Sequence, residues 1–276
     1  MEQRVARVKI SKTTIKAISI LEKLNALGEA RNSEIADALG LPRPTCYRLL
    51  ETLCVAGVIL KEENTHVYRP AERVLALSCG FEQETWISLC AKPHMNELGA
   101  KLLWPIAIAT LSGPSMLLRE TTDPHSPLVV RRYLPGRRVS LLSTATGRVY
   151  LAHCPPQQRD ILIRILQKSR KREDLPAQNP TGVERQLREI RELGFDTSRR
   201  QSQSVTWRAM AVPVFARGQI LASLSVRYIQ KAVTRTREQE EVLPGLRHTA
   251  KQIGKSFETS SADGVNKSAD EEAPQT

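Results

Sequence analysis

No long apolar run occurs in this 276-residue chain. The longest near-apolar stretch, Leu102 to Leu111, is ten residues, against the ~20 that a membrane-spanning helix needs. The N-terminus MEQRVARVKISKTT is basic and lacks the apolar h-region of a secretory signal. Cysteines are few. Cys46, Cys54, Cys79, Cys90 and Cys154 are odd in number and include no Cys-x-x-Cys pair, which argues against a disulfide scaffold and suits a reducing compartment. These absences predict a soluble cytoplasmic protein with no membrane partner.

Clusters that carry chemistry are equally scarce. His66, His94, His125, His153 and His248 are scattered without metal-ligand spacing, so no metal or other cofactor is expected. There is no phosphate-cradling glycine loop and no Gly-x-Ser-x-Gly elbow. His153 and Cys154 are adjacent, but a catalytic dyad is assembled in space rather than between chain neighbours. The chain is therefore read as not being an enzyme. Cys46 and Cys54 read as core packing rather than as redox sensors.

Hydrophobic residues make up 41% of the chain and charged residues 25%, ordinary globular proportions that exclude wholesale disorder. The length suits two compact domains. A net charge of +12 points weakly to nucleic acid or anionic ligands, so its location matters more. Residues 1–16 hold Arg4, Arg7, Lys9, Lys12 and Lys16 against Glu2 alone. Residues 1–80 hold 12 basic and 9 acidic side chains, whereas residues 81–257 hold 28 and 15. The polar, acidic tail 259–276 is expected to be disordered, with no function assigned.

In the first third, Ile15, Ile18, Leu21, Leu24 and Leu27, with Ile20 beside them, form a helical stripe that stops at Gly28. A short second helix follows, capped by Asn32 or Ser33 and ended by Gly40. A third helix, about 43–56, places Cys46, Leu49, Leu50, Leu53 and Cys54 on one buried face. Pro42 and Pro44 are tolerated in its first turn, which needs no intrahelical N–H partner. Val58–Leu60 and His66–Arg69 read as a hairpin around Lys61–Asn64. That order is a winged helix-turn-helix, in which the third helix enters the major groove of double-stranded DNA. Arg43, Thr45, Tyr47 and Arg48 are then candidates for base edges. Lys61 and His66 on the wing, with the basic arm 1–12, are candidates for phosphates, and Ser33 at the second helix is counted with the DNA set. Winged helices also bind proteins, so a ligand sensor with a protein partner is the alternative.

The remainder reads as strands and helices in irregular alternation, predicting a mixed sheet flanked by helices. The elements are a helix Glu82–Leu103, strands Trp104–Leu111, Met116–Thr121 and Leu128–Tyr133, helices opening near Ser143 or Thr144, near Pro155 and at Thr181, a hairpin Trp207–Phe215 with Ile220–Tyr228, and a last helix at about 235–257. In the last strand Ile220, Ala222, Leu224, Val226 and Tyr228 share one face, and Leu221, Ser223, Ser225 and Arg227 share the other. The second face reads either as solvent-facing or as the floor of a small-ligand pocket. A helix N-terminus at 143–147 suits a carboxylate, with Arg131, Arg132, Arg137 and Arg138 just upstream.

The runs SEIADALGLPRPTCYRLLETLCVAGVI and YRPAERVLALSCGF resemble the DNA-binding domain of IclR-type bacterial transcriptional regulators. GRRVSLLSTATGRVYLA and WRAMAVPVFARGQILASLSV resemble the effector domain of the same family. Pro44 stands where such regulators often have a small polar residue, and Ser140 where they commonly have proline. The resemblance covers roughly residues 13–257 and implies an α+β chain, a winged helix-turn-helix joined by a linker helix to a GAF-like mixed α/β effector domain. The bounds so implied are an arm 1–12, a DNA-binding domain with linker helix 13–80, an effector domain 81–258 and the tail 259–276. It also implies an effector pocket near Leu128, Val139, Ala145, Thr146, Ser198, Ala209, Ser225 and Arg227, to which Arg132 and Ser223 are added from the patterns above. A guanidinium at Arg227 demands an anionic partner. ETWISLCAKP, LLWPIAIATL, LRETT and PGRRVSLLSTATG further resemble a family member that controls aromatic-acid breakdown. That implies an aromatic carboxylic acid as effector and a catabolic operon as target. The partners implied are promoter DNA, a small organic acid, a second copy of the chain (homodimer or tetramer) and RNA polymerase.

Overall fold

Ser11 starts the first helix by accepting a hydrogen bond from the Thr14 amide at 3.3 Å, and α1 then runs Lys12–Leu27. The structure, a computed structural model, describes residues 10–77, 86–129, 132–202 and 205–270. The chain divides into two units after Glu82.

In the first unit, β1 (Ala30–Arg31) leads into α2 (Asn32–Leu39). The cap falls earlier than Asn32 or Ser33: Glu34 reaches back and accepts the Arg31 amide at 2.8 Å, which leaves the Asn32 amide group to donate to the Arg43 carbonyl at 3.3 Å. Gly40 ends α2 in the left-handed conformation, φ 62°, where a side chain would be strained. The chain then turns through Pro42 into α3 (Arg43–Val55). β2 (Ile59–Lys61) and β3 (Val67–Pro70) form the hairpin, and β3 sits between β1 and β2. A short α4 (Arg73–Ala76) follows; the rest of the expected linker helix lies outside the described residues.

The core of this unit is Ile20, Leu24, Ile35, Leu50, Ile59 and Tyr68 with smaller neighbours. Each fully buried aliphatic side chain contributes about 1.5–3 kcal/mol. The expected α1 stripe is corrected here. Ile20 and Leu24 are buried, while Ile15, Ile18 and Leu27 are each about half exposed. Spacing by three drifts around a helix of 3.6 residues per turn, so only the 20/24 edge stays inward. On α3, Cys46, Leu49, Leu50 and Leu53 are buried as expected, with Cys54 at the edge.

The second unit is built on a six-stranded antiparallel sheet in the order β6-β5-β4-β9-β8-β7. A π-helical turn Ile87–Ala91 leads into α5 (Lys92–Leu102). β4 (Ile106–Ser112), β5 (Ser115–Thr121) and β6 (Arg138–Ser140) follow, then α6 (Ala145–His153), α7 (Pro156–Gln167) and α8 (Pro180–Leu193). β7 (Asp196–Ser202), β8 (Val205–Ala216) and β9 (Gln219–Ile229) complete the sheet, and α9 (Arg235–Arg237) precedes α10 (Leu243–Asp270).

Three expectations change. No strand forms over Leu128–Tyr133 among the described residues; the strand paired to β5 is β6, ten residues later. Pro127 lacks the N–H a ladder needs. The edge strand β7 adds to the expected elements: Asp-Thr-Ser-Arg-Arg-Gln-Ser has no apolar alternation and is formed by pairing with β8. Finally, α10 continues to Asp270, past residue 258, because no proline interrupts it before Pro274.

Both faces of the sheet are covered. Ile106, Ile108, Val212, Leu224, Val226 and Tyr228 pack with α5 and α10 residues such as Met95, Leu98, Leu246 and Ile253. Ala107, Ala109, Leu118 and Ala211 pack with Val149, Leu151, Leu187 and Ile190 from α6 and α8. Gly147 sets how closely α6 approaches: a Cβ there would lie 2.4 Å from the Leu141 Cα and from the Ser140 carbonyl oxygen. Both are backbone atoms, so neither yields cheaply. Gly147→Ala therefore destabilises the chain, by about 3 kcal/mol, although the same change in an exposed helix stabilises by about 1 kcal/mol. Equilibrium urea unfolding reads the sign.

Candidate functional site

α3 carries two opposed faces. Its inner face is the core just described, and its outer face presents Arg43, Tyr47 and Arg48 to solvent. Tyr47 is 44% exposed. Thr45 and Ser33 are half-buried, so of the expected set they sit furthest back. Arg43 makes only a loose, exposed ion pair with Asp37 at 3.7 Å, which holds it weakly. His66 is exposed in the wing turn with φ 53°.

Lys61 departs from expectation. Its ammonium donates to Glu51 Oε1 at 2.8 Å, and the same oxygen accepts from the Tyr68 hydroxyl at 2.9 Å. It also lies 5.2 Å from the Tyr47 ring centroid and 5.7 Å from that of Tyr68. The hydrogen bonds from Lys61 and Tyr68 hold the Glu51 carboxyl below the usual carboxylate range, and the bond to Glu51 raises Lys61. Burial, then the Glu51 hydrogen bond, push Tyr68 up to about 12.

In the second unit, residues directly opposite in an antiparallel ladder share a face. Ser198, Ala209 and Arg227 form one such row across β7, β8 and β9. Ser225 stands between Ala107 and Ala211, and Ser223 faces Ala109. The result is a floor of small side chains. It is not solvent-facing: Ser223 is 0% and Ser225 5% exposed. Ser225 Oγ donates to the Ala107 carbonyl at a long 3.4 Å. Ser223 Oγ is buried with no hydrogen-bond partner among the described residues, a state that is unfavourable by about 1–3 kcal/mol unless something fills it.

α6 packs against this face with Ala145 in the same core cluster, and Val139 of β6 packs at its margin. Thr146 is buried in the first turn of α6. Thr144 caps the helix, accepting from the Gly147 amide at 3.1 Å. Arg148 is buried on the next turn and spends its guanidinium on Asp196 at 2.7 Å, the Leu142 carbonyl at 2.9 Å and the Thr197 carbonyl at 3.1 Å. Leu128 and Arg132 are exposed and are not drawn into this cluster. Arg131 lies outside the described residues.

Arg227 has its anionic partner inside the protein. Its Nη2 donates to both carboxylate oxygens of Asp123 at 2.5 Å. Asp123 is 1% exposed and also accepts from the Tyr133 amide at 2.7 Å and from the Thr121 hydroxyl. The Arg227 guanidinium carbon lies 3.7 Å from the Tyr133 ring centroid, and that of Arg137 4.2 Å. Sequence reasoning missed Asp123 and Tyr133. The ion pair joins residues 104 apart, and no spacing rule links them.

Among the described residues, burial governs Cys46, Cys154 and His153. Cys46 is buried, and burial pushes its thiol up; burial pushes Cys154 to about 11. His153 stands edge-on to Phe215 at 5.3 Å, and burial lowers its pKa. Among the described residues no group of three or more His, Cys, Asp or Glu could hold a metal ion, and no helix is long and apolar enough to cross a membrane. Cys79 lies outside the described residues.

Removing Arg227 strands a buried carboxylate. Arg227→Met is expected to lower unfolding stability at neutral pH by about 3 kcal/mol, and adding Asp123→Asn to recover much of that loss. A double-mutant cycle on urea unfolding free energies checks the coupling.

Comparison with known proteins agrees with both units. Residues 13–63 match the IclR helix-turn-helix domain, and residues 83–255 match the bacterial transcriptional regulator IclR C-terminal domain. The transcriptional regulator KdgR of Escherichia coli K12 is 28% identical over 234 residues, covering 82% of this chain and 86% of its own. The Pca regulon regulatory protein of Pseudomonas putida is 26% identical over 216 residues, 78% of this chain and 72% of its own. The crystal structure of an IclR homolog from Microbacterium hydrocarbonoxydans complexed with 4-hydroxybenzoate superposes with a TM-score of 0.59 at 20% identity, covering 90% of this chain and 99% of that one, a likeness of fold. With one domain model over most of the second unit and another over the first, the chain belongs to the IclR family of bacterial transcriptional regulators, DNA-binding proteins with a ligand-binding C-terminal domain.

Proposed function

We propose that the chain controls a catabolic operon as a homodimer that releases or remakes its hold on promoter DNA when an aromatic carboxylic acid binds the second unit. The observation that carries the effector reading is the buried, unanswered hydroxyl of Ser223 on a floor of alanine and serine beneath α6. The polar group of a bound aromatic acid is the partner we assign to it. One structural relative points the same way by its title, which gives it in complex with 4-hydroxybenzoate. The stretches LLWPIAIATL and PGRRVSLLSTATG also resemble MhpR, the activator of 3-(3-hydroxyphenyl)propionate degradation.

On the DNA side, Arg43, Tyr47 and Arg48 are assigned to base edges, with Thr45 and Ser33 behind them and His66 at a phosphate. Exposed Ile15 and Ile18 on α1 suit burial against a second copy, and a two-fold dimer reads an inverted repeat. RNA polymerase is the further partner a promoter-bound regulator meets. A protein-binding wing is the less favoured reading, because the unit matches a DNA-binding domain family.

Operator selection from random duplexes, followed by titration with hydroxylated benzoates and phenylpropionates at fixed salt, tests the proposal. One inverted repeat whose affinity or footprint shifts with one acid supports it. Specific binding that ignores every acid removes the aromatic effector and keeps the regulator. Arg48→Ala is expected to weaken operator binding by roughly tenfold or more, the scale of one bidentate base contact, with effector affinity unchanged. Ser225→Leu is expected to do the reverse, abolishing the response while sparing DNA binding.

A further inference from the structure

The wing is joined to α3 by the cluster that holds Lys61. Tyr47 and Glu51 stand one turn apart on α3, hence on the same side of the helix. Lys61 arrives from β2 and bonds Glu51 while facing the Tyr47 ring. Tyr68 of β3 closes the set from below, its ring 1% exposed and its hydroxyl on the same Glu51 oxygen. The Lys61 side chain is 27% exposed, against 66% for Arg43. An ammonium has three donors and no preferred plane, and here the nearest acceptor is a carboxylate at contact distance with aromatic faces around it. A phosphate oxygen reaching Lys61 must compete with Glu51. Tyr47, by contrast, is open to solvent on one side and held on the other. A tyrosine has only two side-chain torsions to fix, so a cation over its face is enough to set its direction.

We propose that Lys61, Glu51 and Tyr68 form a positioning cluster that aims Tyr47 at the DNA, and that Lys61 acts through Tyr47 rather than by neutralising a phosphate. This rests on the reading that the outer face of α3 meets DNA. It makes Tyr47 a specificity-determining residue and Glu51, an acid on a DNA-binding helix, a contributor to binding. Because such partly exposed ion pairs add little to stability, and the core residues Ile20, Leu24 and Leu50 are separate from the cluster, the variants below are expected to fold.

The test measures operator binding by the full-length chain against salt concentration, with a non-specific duplex in parallel. Lys61→Met is expected to lower specific affinity roughly tenfold, the effect of one misplaced base-side contact, while the slope of log affinity on log salt stays that of the wild type. Lys12→Gln, on the basic arm read as meeting phosphates, is the reference, expected to make the slope shallower by about 0.9, one phosphate's worth. Glu51→Gln is expected to lower the ratio of specific to non-specific binding, although it removes a negative charge. Tyr47→Ala combined with Lys61→Met should be little worse than Tyr47→Ala alone, since both remove one contact. The proposal is overturned if Lys61→Met makes the slope shallower by about 0.9, if Glu51→Gln raises that ratio, or if the Tyr47 and Lys61 effects add. Unchanged specific affinity in Arg48→Gln removes the DNA-facing reading of α3, and this proposal with it.

Discussion

The middle of the second unit is a sheet whose central strand has no wet side. β9 pairs with β4 and β8 and is covered by α5 and α10 on one face and by α6 on the other. Every polar group placed on such a strand must find a partner inside the protein or leave an unsatisfied group behind. Large aliphatic side chains fill the α10 face. On the α6 face β9 carries Ile220, two serines and one arginine, beside alanines of β4 and β8, and the chemistry of the unit follows from how those polar groups are answered.

Arg227 is answered by Asp123, itself tied to Tyr133 and Thr121. Arg148 is answered by Asp196 and two carbonyls, which pins α6 to the β7 edge while Gly147 lets it come close. Ser223 Oγ has no hydrogen-bond partner among the described residues. The guanidinium of Arg227 is thus already paired with a carboxylate, and the hydroxyls beside it stand on the same face. Net positive charge in this half of the chain says little about the site, since its two innermost cations are neutralised locally.

The first unit makes the opposite use of charge. Arg43 and Arg48 stand in solvent, where an arginine retains its reach for base edges and phosphates. Lys61, equally basic in the sequence, is drawn onto Glu51 and between aromatic rings. Residues of one formal charge on one unit are thus held differently, the arginines in solvent and the lysine within the protein.

Much of the architecture is local and so was legible in the chain. The glycine stops at 28, 40 and 194, the prolines opening α3 and α7, the Thr144 cap and the period of two in β9 from Ala222 to Tyr228 act within a few residues, where propensity and hydrogen-bond geometry suffice; a register shift at Val214/Phe215 puts Ile220 on the α6 face, against the expected grouping. The α3 core face and the hairpin after it came from the same rules, and the family resemblance from contiguous motifs. What the sequence could not determine depended on distant pairing. β7 exists because β8 offers an edge, Ile15 and Ile18 stay outside because the core closes on Ile20 and Leu24, and β5 takes 138–140 rather than the expected 128–133 as its neighbour. Asp123 meets Arg227, and Lys61 meets Glu51, only once the strands and helices that carry them are packed. A salt bridge or a buried hydroxyl is a property of two surfaces brought together, and no residue announces its partner.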